Sequence, residues 1–297
     1  MRALVVDPAA PEAVRLADVP QPTAGGGVLV EVRHASLNHG DLNDARSGRL
    51  PAGAVLGSDV AGVVLWGGSL APGTRVVAMA RGGFAERVVV AADSLAEVPA
   101  MVDLAAAAAL PVAGVAALRA LRAAGSLLGK RVLVTGASGG VGRFAVRLAA
   151  IAGAHVIASV GSPARAVRSG AHEVVVGLDG IRGPVDVVLD SVGGRQLVAA
   201  WELLAPGGSL QSVGWTSGEP AVFPPYSTIG PAKSLTSFLN TGPVGAELAD
   251  LVRLVESGDL PVEIGWRGPL ERFDEAAEAL RGRRVDGKAI LDVSTPG

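Results

Sequence analysis

The most constraining stretch of the chain is Val132-Leu133-Val134-Thr135-Gly136-Ala137-Ser138-Gly139-Gly140-Val141-Gly142-Arg143-Phe144-Ala145. Aliphatic residues run into a glycine cluster, and apolar positions then recur at Val141, Phe144, Ala145, Leu148, Ile151 and Ala152, which is helical spacing. The pattern predicts strand, tight turn, helix. Glycine supplies 41 of 297 residues, so a glycine cluster carries little weight alone. Its setting supplies the weight: a strand precedes it, an amphipathic helix follows, and a second strand, His155-Val156-Ile157-Ala158-Ser159, arrives at the distance of a dinucleotide-binding βαβ unit. Backbone N–H groups at such a helix N-terminus meet a pyrophosphate only where no side chain blocks the approach. Gly136, Gly139, Gly140 and Gly142, with Ser138 and Val141 between them, are therefore candidate cofactor-binding positions.

The flanks read differently on the two sides. Residues 1 to about 100 are short strands (2–6, 28–35, 60–66, 75–78 and 84–90) separated by Pro-Gly and Gly-Gly turns, a pattern that suggests a compact β-barrel-like domain. Between two of them, residues 36–48 concentrate polar side chains and read as a loop of the kind on which chemistry is placed. A helix is expected over 101–124, broken at Pro111. Strands at 131–135, 155–159, 173–176, 185–190 and 209–213 then alternate with helical segments, which predicts a parallel sheet wound on both faces, and their unbroken valine runs fit strands buried on both sides. Beyond Gly214 come a proline-rich loop at 219–230, a strand at 234–239, helices at 244–257 and 273–281, and a final strand at 288–293.

A chain of 297 residues is expected to form two domains, and its net charge of −2 carries no nucleic-acid or membrane footprint. No apolar run reaches membrane-spanning length, and Met1 to Pro8 reads as a strand and not as a signal peptide, so a cytoplasmic location is expected. There is no cysteine, which removes disulfides, thiolate nucleophiles and thiolate metal ligands together.

With these parts placed, the chain resembles the medium-chain dehydrogenase/reductase superfamily, and within it the zinc-free quinone oxidoreductase group related to zeta-crystallin and to the enoyl reductases of polyketide synthases. The resemblance runs through Leu37-Asn38-His39-Gly40-Asp41, Gly57-Ser58-Asp59-Val60-Ala61-Gly62-Val63-Val64, Gly83-Phe84-Ala85-Glu86, Leu110-Pro111-Val112-Ala113-Gly114, the glycine loop, Asp190-Ser191-Val192-Gly193-Gly194, Pro206-Gly207-Gly208 and Gly287-Lys288-Ala289. It implies an α/β chain with a GroES-like β-barrel domain over residues 1–115 and 255–297 and a Rossmann domain, a doubly wound parallel sheet, over 116–254. It also implies a homodimer.

The zinc-dependent branch of that superfamily needs thiolate ligands, which this chain lacks, and its four histidines (34, 39, 155 and 172) have no ligand spacing; no metal site is expected. Selection of NADH relies on a carboxylate at the end of the second strand. That region reads Ser159-Val160-Gly161-Ser162-Pro163-Ala164-Arg165, without an acid. Ser159, Gly161, Ser162, the start of a following helix and Arg165 form an anion-friendly pocket, so NADPH is the expected cofactor. Ser162-Pro163 is also an ordinary helix start.

Ser191, Val192, Gly193 and Gly214 would lie at the C-terminal ends of sheet strands, where open α/β sheets bind ligands. The resemblance adds Phe238 and Leu239, with Asn240, as nicotinamide-packing residues; a strand pairing across a dimer is the other reading of that segment. It matches Asn38 to a loop asparagine beside the nicotinamide and Asp41 to an orienting acid, while His39 is the one loop side chain with a pKa suited to proton transfer near neutrality. Two positions depart from the family pattern: Arg49-Leu50-Pro51 stands where a tyrosine is frequent, and Ala116 stands for a threonine. The only tyrosine is Tyr226, which leaves solvent to supply the proton.

The resulting expectation is an NADPH-dependent, zinc-independent reductase of a quinone or an α,β-unsaturated carbonyl compound. The alternatives are a pathway-specific reductase of enoyl thioesters or polyketides, and a non-catalytic NADPH-binding sensor or structural protein.

Overall fold

The computed structural model describes residues 1–23, 25–165 and 170–293. They divide into two compact units, Met1–Val115 with Thr241–Gly297, and Ala116–Asn240.

The first unit opens with a hairpin, β1 (Arg2–Val6) antiparallel to β2 (Val14–Asp18), and continues through β3 (Val28–Leu37), α1 (His39–Arg46), β4 (Asp59–Trp66), β5 (Arg75–Met79), β6 (Arg87–Val90), β7 (Leu95–Glu97) and α2 (Leu104–Ala108). In the second unit, α3 (Val115–Ala123) leads into β8 (Arg131–Val134), α4 (Gly140–Ile151), β9 (His155–Val160), β10 (Glu173–Val176), β11 (Val185–Asp190), α5 (Gly194–Glu202), β12 (Leu204–Ser212) and β13 (Ser234–Ser237). The chain then returns to the first unit as α6 (Gly245–Glu256), β14 (Ile264–Pro269), α7 (Phe273–Arg281) and β15 (Lys288–Asp292).

The sheet of the first unit runs β14-β15-β3-β4-β5-β7, with β6 also paired to β3, and only β14 and β15 are parallel. Its core gathers Leu4, Val30, Val32, Leu37, Leu42, Val60, Phe84 and Phe273. Register fixes what matters for chemistry: Ala289 of β15 lies opposite Leu37, and Asp59 of β4 lies opposite Ser36. Lys288 and Asp59 are thereby brought to either side of the β3 terminus that leads into Asn38.

One expectation is corrected by the structure. Residues 36–48 do not form a loop: β3 runs to Leu37 and α1 begins at His39. The cause is a capping box, in which the Asn38 side chain receives the backbone of Asp41 and the Asp41 carboxylate receives the backbone of Asn38, with Leu42 and Ala45 buried on one face. Pro111 interrupts the helical stretch as expected, standing between α2 and α3. It sits in a π-type turn, Leu110–Gly114, that passes directly into α3, because a proline without an N–H widens the ladder where flanking turns are well packed. Strands β2, β7 and β14 were not foreseen, β6 is shorter than expected, and β12 begins earlier.

The second unit is a six-stranded parallel sheet of order β10-β9-β8-β11-β12-β13. Val132, Leu133 and Val134 of the central β8 are fully buried, each such aliphatic side chain contributing about 1.5–3 kcal/mol, whereas Val174 and Val176 on the edge strand β10 are exposed. The chain winds outward from β8 to β10 and then crosses to β11, so the strand order reverses between β8 and β11. That reversal is where open α/β sheets form a ligand crevice. Among the described residues, no helix is long and apolar enough to cross a membrane.

Candidate active site

The glycine loop forms the expected cradle. Gly136 adopts φ +60°, Ala137 N–H donates to the Ser159 carbonyl at 3.0 Å, and Gly139 N–H donates to the Gly136 carbonyl at 2.9 Å. No side chain caps α4, whose first ladder bond runs from Arg143 N–H to the Gly139 carbonyl at 3.0 Å. The N–H groups of Gly140, Val141 and Gly142 precede that bond, as helix geometry requires, and are the natural donors to an anion. Gly142 is needed for close approach: a Cβ there would lie 2.3 Å from the Gly136 oxygen and 2.6 Å from Ala137 Cα. Ser138 is buried in the turn, and its carbonyl accepts from Arg143 Nε at 3.1 Å.

Asp190 at the end of β11 ties three strand ends together. Its carboxylate accepts from Thr135 Oγ1 and, at 2.8 Å, from Gly193 N–H; its carbonyl accepts from Val213 N–H at 2.8 Å and Gly214 N–H at 3.2 Å. Burial pushes its pKa up against these hydrogen bonds. The role of Asp190 is thus internal, holding Ser191, Val192, Gly193 and Gly214 against the glycine loop: a Cβ on Gly136 would sit 3.3 Å from Val192 Cγ2 and 3.6 Å from Ser191 Cβ. Ser191 Oγ is buried without a hydrogen-bond partner. An orphaned hydroxyl beside a glycine turn and an uncapped helix fits a dinucleotide.

At the end of β9 the expected anion pocket is only partly assembled. Ser159 is turned into the sheet, donating to the Gly177 carbonyl at 2.8 Å and accepting from Gln196 Nε2 at 3.0 Å. Gly161 is exposed, and a Cβ there would meet nothing within 4 Å. Ser162 and Arg165 are half-buried around the short turn Pro163–Arg165. The helix expected to continue from it falls on 166–169, outside the described residues. Phe238 follows β13, donating its N–H to the Ser212 carbonyl at 3.1 Å, and Leu239 is exposed.

The first unit holds a buried polar network. Asn38 Nδ2 donates to Asp59 Oδ2 at 2.9 Å, and its Oδ1 accepts from Lys288 Nζ at 2.5 Å. Lys288 also stands 3.4 Å from Asp59 Oδ2, and the other Asp59 oxygen accepts from Val112 N–H at 2.7 Å. Asp41 accepts from Asn38 N–H at 2.8 Å and from Ser58 Oγ at 2.9 Å. Asp41, Asp59 and Lys288 are all buried. Burial raises the Asp59 pKa against the opposing pull of Lys288. For Asp41, burial first and the nearby Asp59 carboxylate second push the pKa up to about 6. The sequence offered Asn38 and Asp41; it gave no role to Asp59 or Ser58 and left Lys288 open. A carboxylate opening a strand as apolar as β4 was the available signal, since a buried charge demands a partner.

His39, next along α1, is exposed at the surface. Partial enclosure, and then the cations Lys288, Arg281 and Arg283, hold its pKa below the ordinary histidine value. Its imidazole is therefore mainly neutral near pH 7.

Residues 24–100 match the family described as Alcohol dehydrogenase GroES-like domain, and residues 153–291 the family described as Zinc-binding dehydrogenase. The quinone oxidoreductase of Pseudomonas aeruginosa is 31% identical over 95% of this chain and 96% of its own length. The chain belongs to the medium-chain dehydrogenase/reductase superfamily, in its quinone-oxidoreductase-like group. That superfamily is one of oxidoreductases built on a nicotinamide-dependent fold. A solved mycobacterial structure complexed with NADPH is 26% identical, with a TM-score of 0.87 over 98% of this chain and 99% of that one. Erythronolide synthase EryA2 of Saccharopolyspora erythraea is 34% identical over 94% of this chain, which spans only 8% of that protein.

The zinc of the second family description does not fit the donors present. The chain has no cysteine, and among the described residues no three His, Asp or Glu side chains converge as a metal ion requires. His34 is bound to Asp292 at 2.8 Å, and His155 to Glu173 at 2.7 Å.

Proposed function

We propose that this superfamily member is an NADPH-dependent, zinc-independent reductase whose acceptor is a quinone or an α,β-unsaturated carbonyl compound. The observation that carries the reading is the cradle of the second unit, where the glycine turn, with the uncapped α4 after it, packs beside Ser191 and its orphaned hydroxyl. NADPH is preferred over NADH because residues 157–165 contain no acid to repel a 2′-phosphate, while Ser162, the backbone at Gly161 and Arg165 suit one.

A bound nicotinamide supplies the hydride. What the chain supplies is placement and electrostatics: the α4 N–H groups take the pyrophosphate, and the Asp190 tie keeps the strand ends rigid. In the first unit, Asn38, Asp41 and His39 serve the acceptor. The Asn38 amide is committed to Asp59 and Lys288, so it and Asp41 act by holding the start of α1 in place, and the neutral His39 offers an N–H to an acceptor oxygen. Solvent completes the protonation. Two copies would pair along β13, whose four residues are all exposed at the sheet edge, giving a homodimer.

Likeness to EryA2 favours a second reading, an enoyl thioester reductase in biosynthesis. Measuring NADPH consumption with a simple quinone, an enone and a 2-enoyl thioester separates the two. Preference for the thioester supports the second reading, and preference for either of the others supports the first.

A further inference from the structure

We propose that Trp215 is a stacking platform for a flat conjugated ring, built at the C-terminal end of β12. Trp215 is 47% exposed, unusual for so large an aromatic side chain in a segment this firmly held. Its loop is pinned to the end of β11: Thr216 donates to the Ser191 carbonyl from both N–H (3.3 Å) and Oγ1 (3.0 Å), and Ser217 N–H donates to the Val192 carbonyl at 2.9 Å. The indole is fixed as well, because Nε1 donates to the Glu219 carbonyl at 2.6 Å. One face of the ring rests on Gly193, which has φ +73° and where a Cβ would lie 2.5 Å from Cδ2 of the indole. No other residue type leaves room for the ring there.

A half-exposed, rigidly held indole with its polar group already satisfied is arranged to receive another ring. Its place says which. In a doubly wound sheet the adenosine half of a dinucleotide lies by the strand that follows the glycine-loop helix, here β9. The other half would be held by the ends of β11 and β12, where Ser191, whose hydroxyl lacks a partner, and Trp215 stand. The ligand is a flat conjugated ring that is either the nicotinamide or a planar acceptor. This inference rests on the nicotinamide-dependent reading above.

The test compares the wild-type protein with Trp215→Phe, which keeps a ring, and Trp215→Leu, which keeps bulk without one; thermal midpoints establish that both fold. NADPH affinity is measured by calorimetry, and KM is measured for a planar quinone and a non-planar enone. Loss of a stacked contact should weaken binding by about three- to tenfold in the Leu variant, with the Phe variant near wild type. If NADPH affinity falls, the ring is the nicotinamide; if only the quinone KM rises, it is the acceptor. Unchanged affinity and KM in a folded Leu variant overturn the platform while leaving the reductase reading intact. Failure of the wild-type protein to bind NADPH overturns both. If the Leu variant does not fold, tryptophan fluorescence decides: ligand quenching seen in wild type and lost in Trp215→Phe supports the platform, and quenching retained in Trp215→Phe overturns it.

Discussion

Lys288 Nζ lies 2.5 Å from Asn38 Oδ1, joining the last strand of the chain to the residue that starts α1. The same ammonium is 3.4 Å from the buried Asp59 carboxylate, with Asp41 close by, so one cation serves a pocket holding two acids.

Removing that cation should be costly. Lys288→Met leaves buried carboxylates uncompensated and should destabilise the protein by about 3–5 kcal/mol in urea unfolding. The double variant Lys288→Met, Asp59→Asn should recover part of that loss, since the second change removes the stranded charge. Equal or additive losses would mean that the pair is not coupled.

Asp41 contributes to the pH dependence of stability. Its pKa is raised from 3.8 to about 6 in the folded protein, so the native state binds more protons than the unfolded chain between those values. The Asp41 contribution to stability therefore falls as pH rises through this window. Asp41→Asn, which keeps an acceptor for Asn38 N–H, should flatten the slope of the thermal midpoint between about pH 4 and pH 6. An unchanged slope would place the titration elsewhere.

Gly142→Ala should disturb the cradle. The added methyl would meet the Gly136 oxygen at 2.3 Å, so the turn must shift. A stability loss of about 1–3 kcal/mol is expected, together with weaker NADPH binding by calorimetry. Wild-type behaviour in both would show the loop to be more pliant than its contacts indicate.

Gly161→Asp tests cofactor choice. A side chain at Gly161 meets nothing within 4 Å, so the fold should tolerate it. The new carboxylate repels a 2′-phosphate and suits a ribose diol, so the ratio of NADPH to NADH affinity should fall by about tenfold or more.

The legible parts of this chain were those written in local pattern. The β8 strand, glycine turn and α4 announce themselves by a change of hydrophobic period around glycines, and the valine runs of β9 to β11 need no partner to be recognised. Helix α1 was hidden because only Leu42 and Ala45 face its core, although the Asn38 and Asp41 capping box was present. The edge-forming β2 and β14 were hidden because short strands take their stability from neighbours. The Lys288 and Asp59 pair is set by register among β15, β3 and β4, residues 229 positions apart that no periodicity connects. Ser159 looked available for an anion because the sequence does not show Gly177 and Gln196 consuming its hydroxyl.

The most direct measurement is acceptor-dependent NADPH oxidation by the purified protein, with a quinone, an enone and a 2-enoyl thioester, in the presence and absence of a zinc chelator. NADPH consumption with at least one acceptor is expected, slower with NADH and indifferent to the chelator. NADPH bound but consumed with none of the three, or turnover abolished by the chelator, would contradict the proposed function.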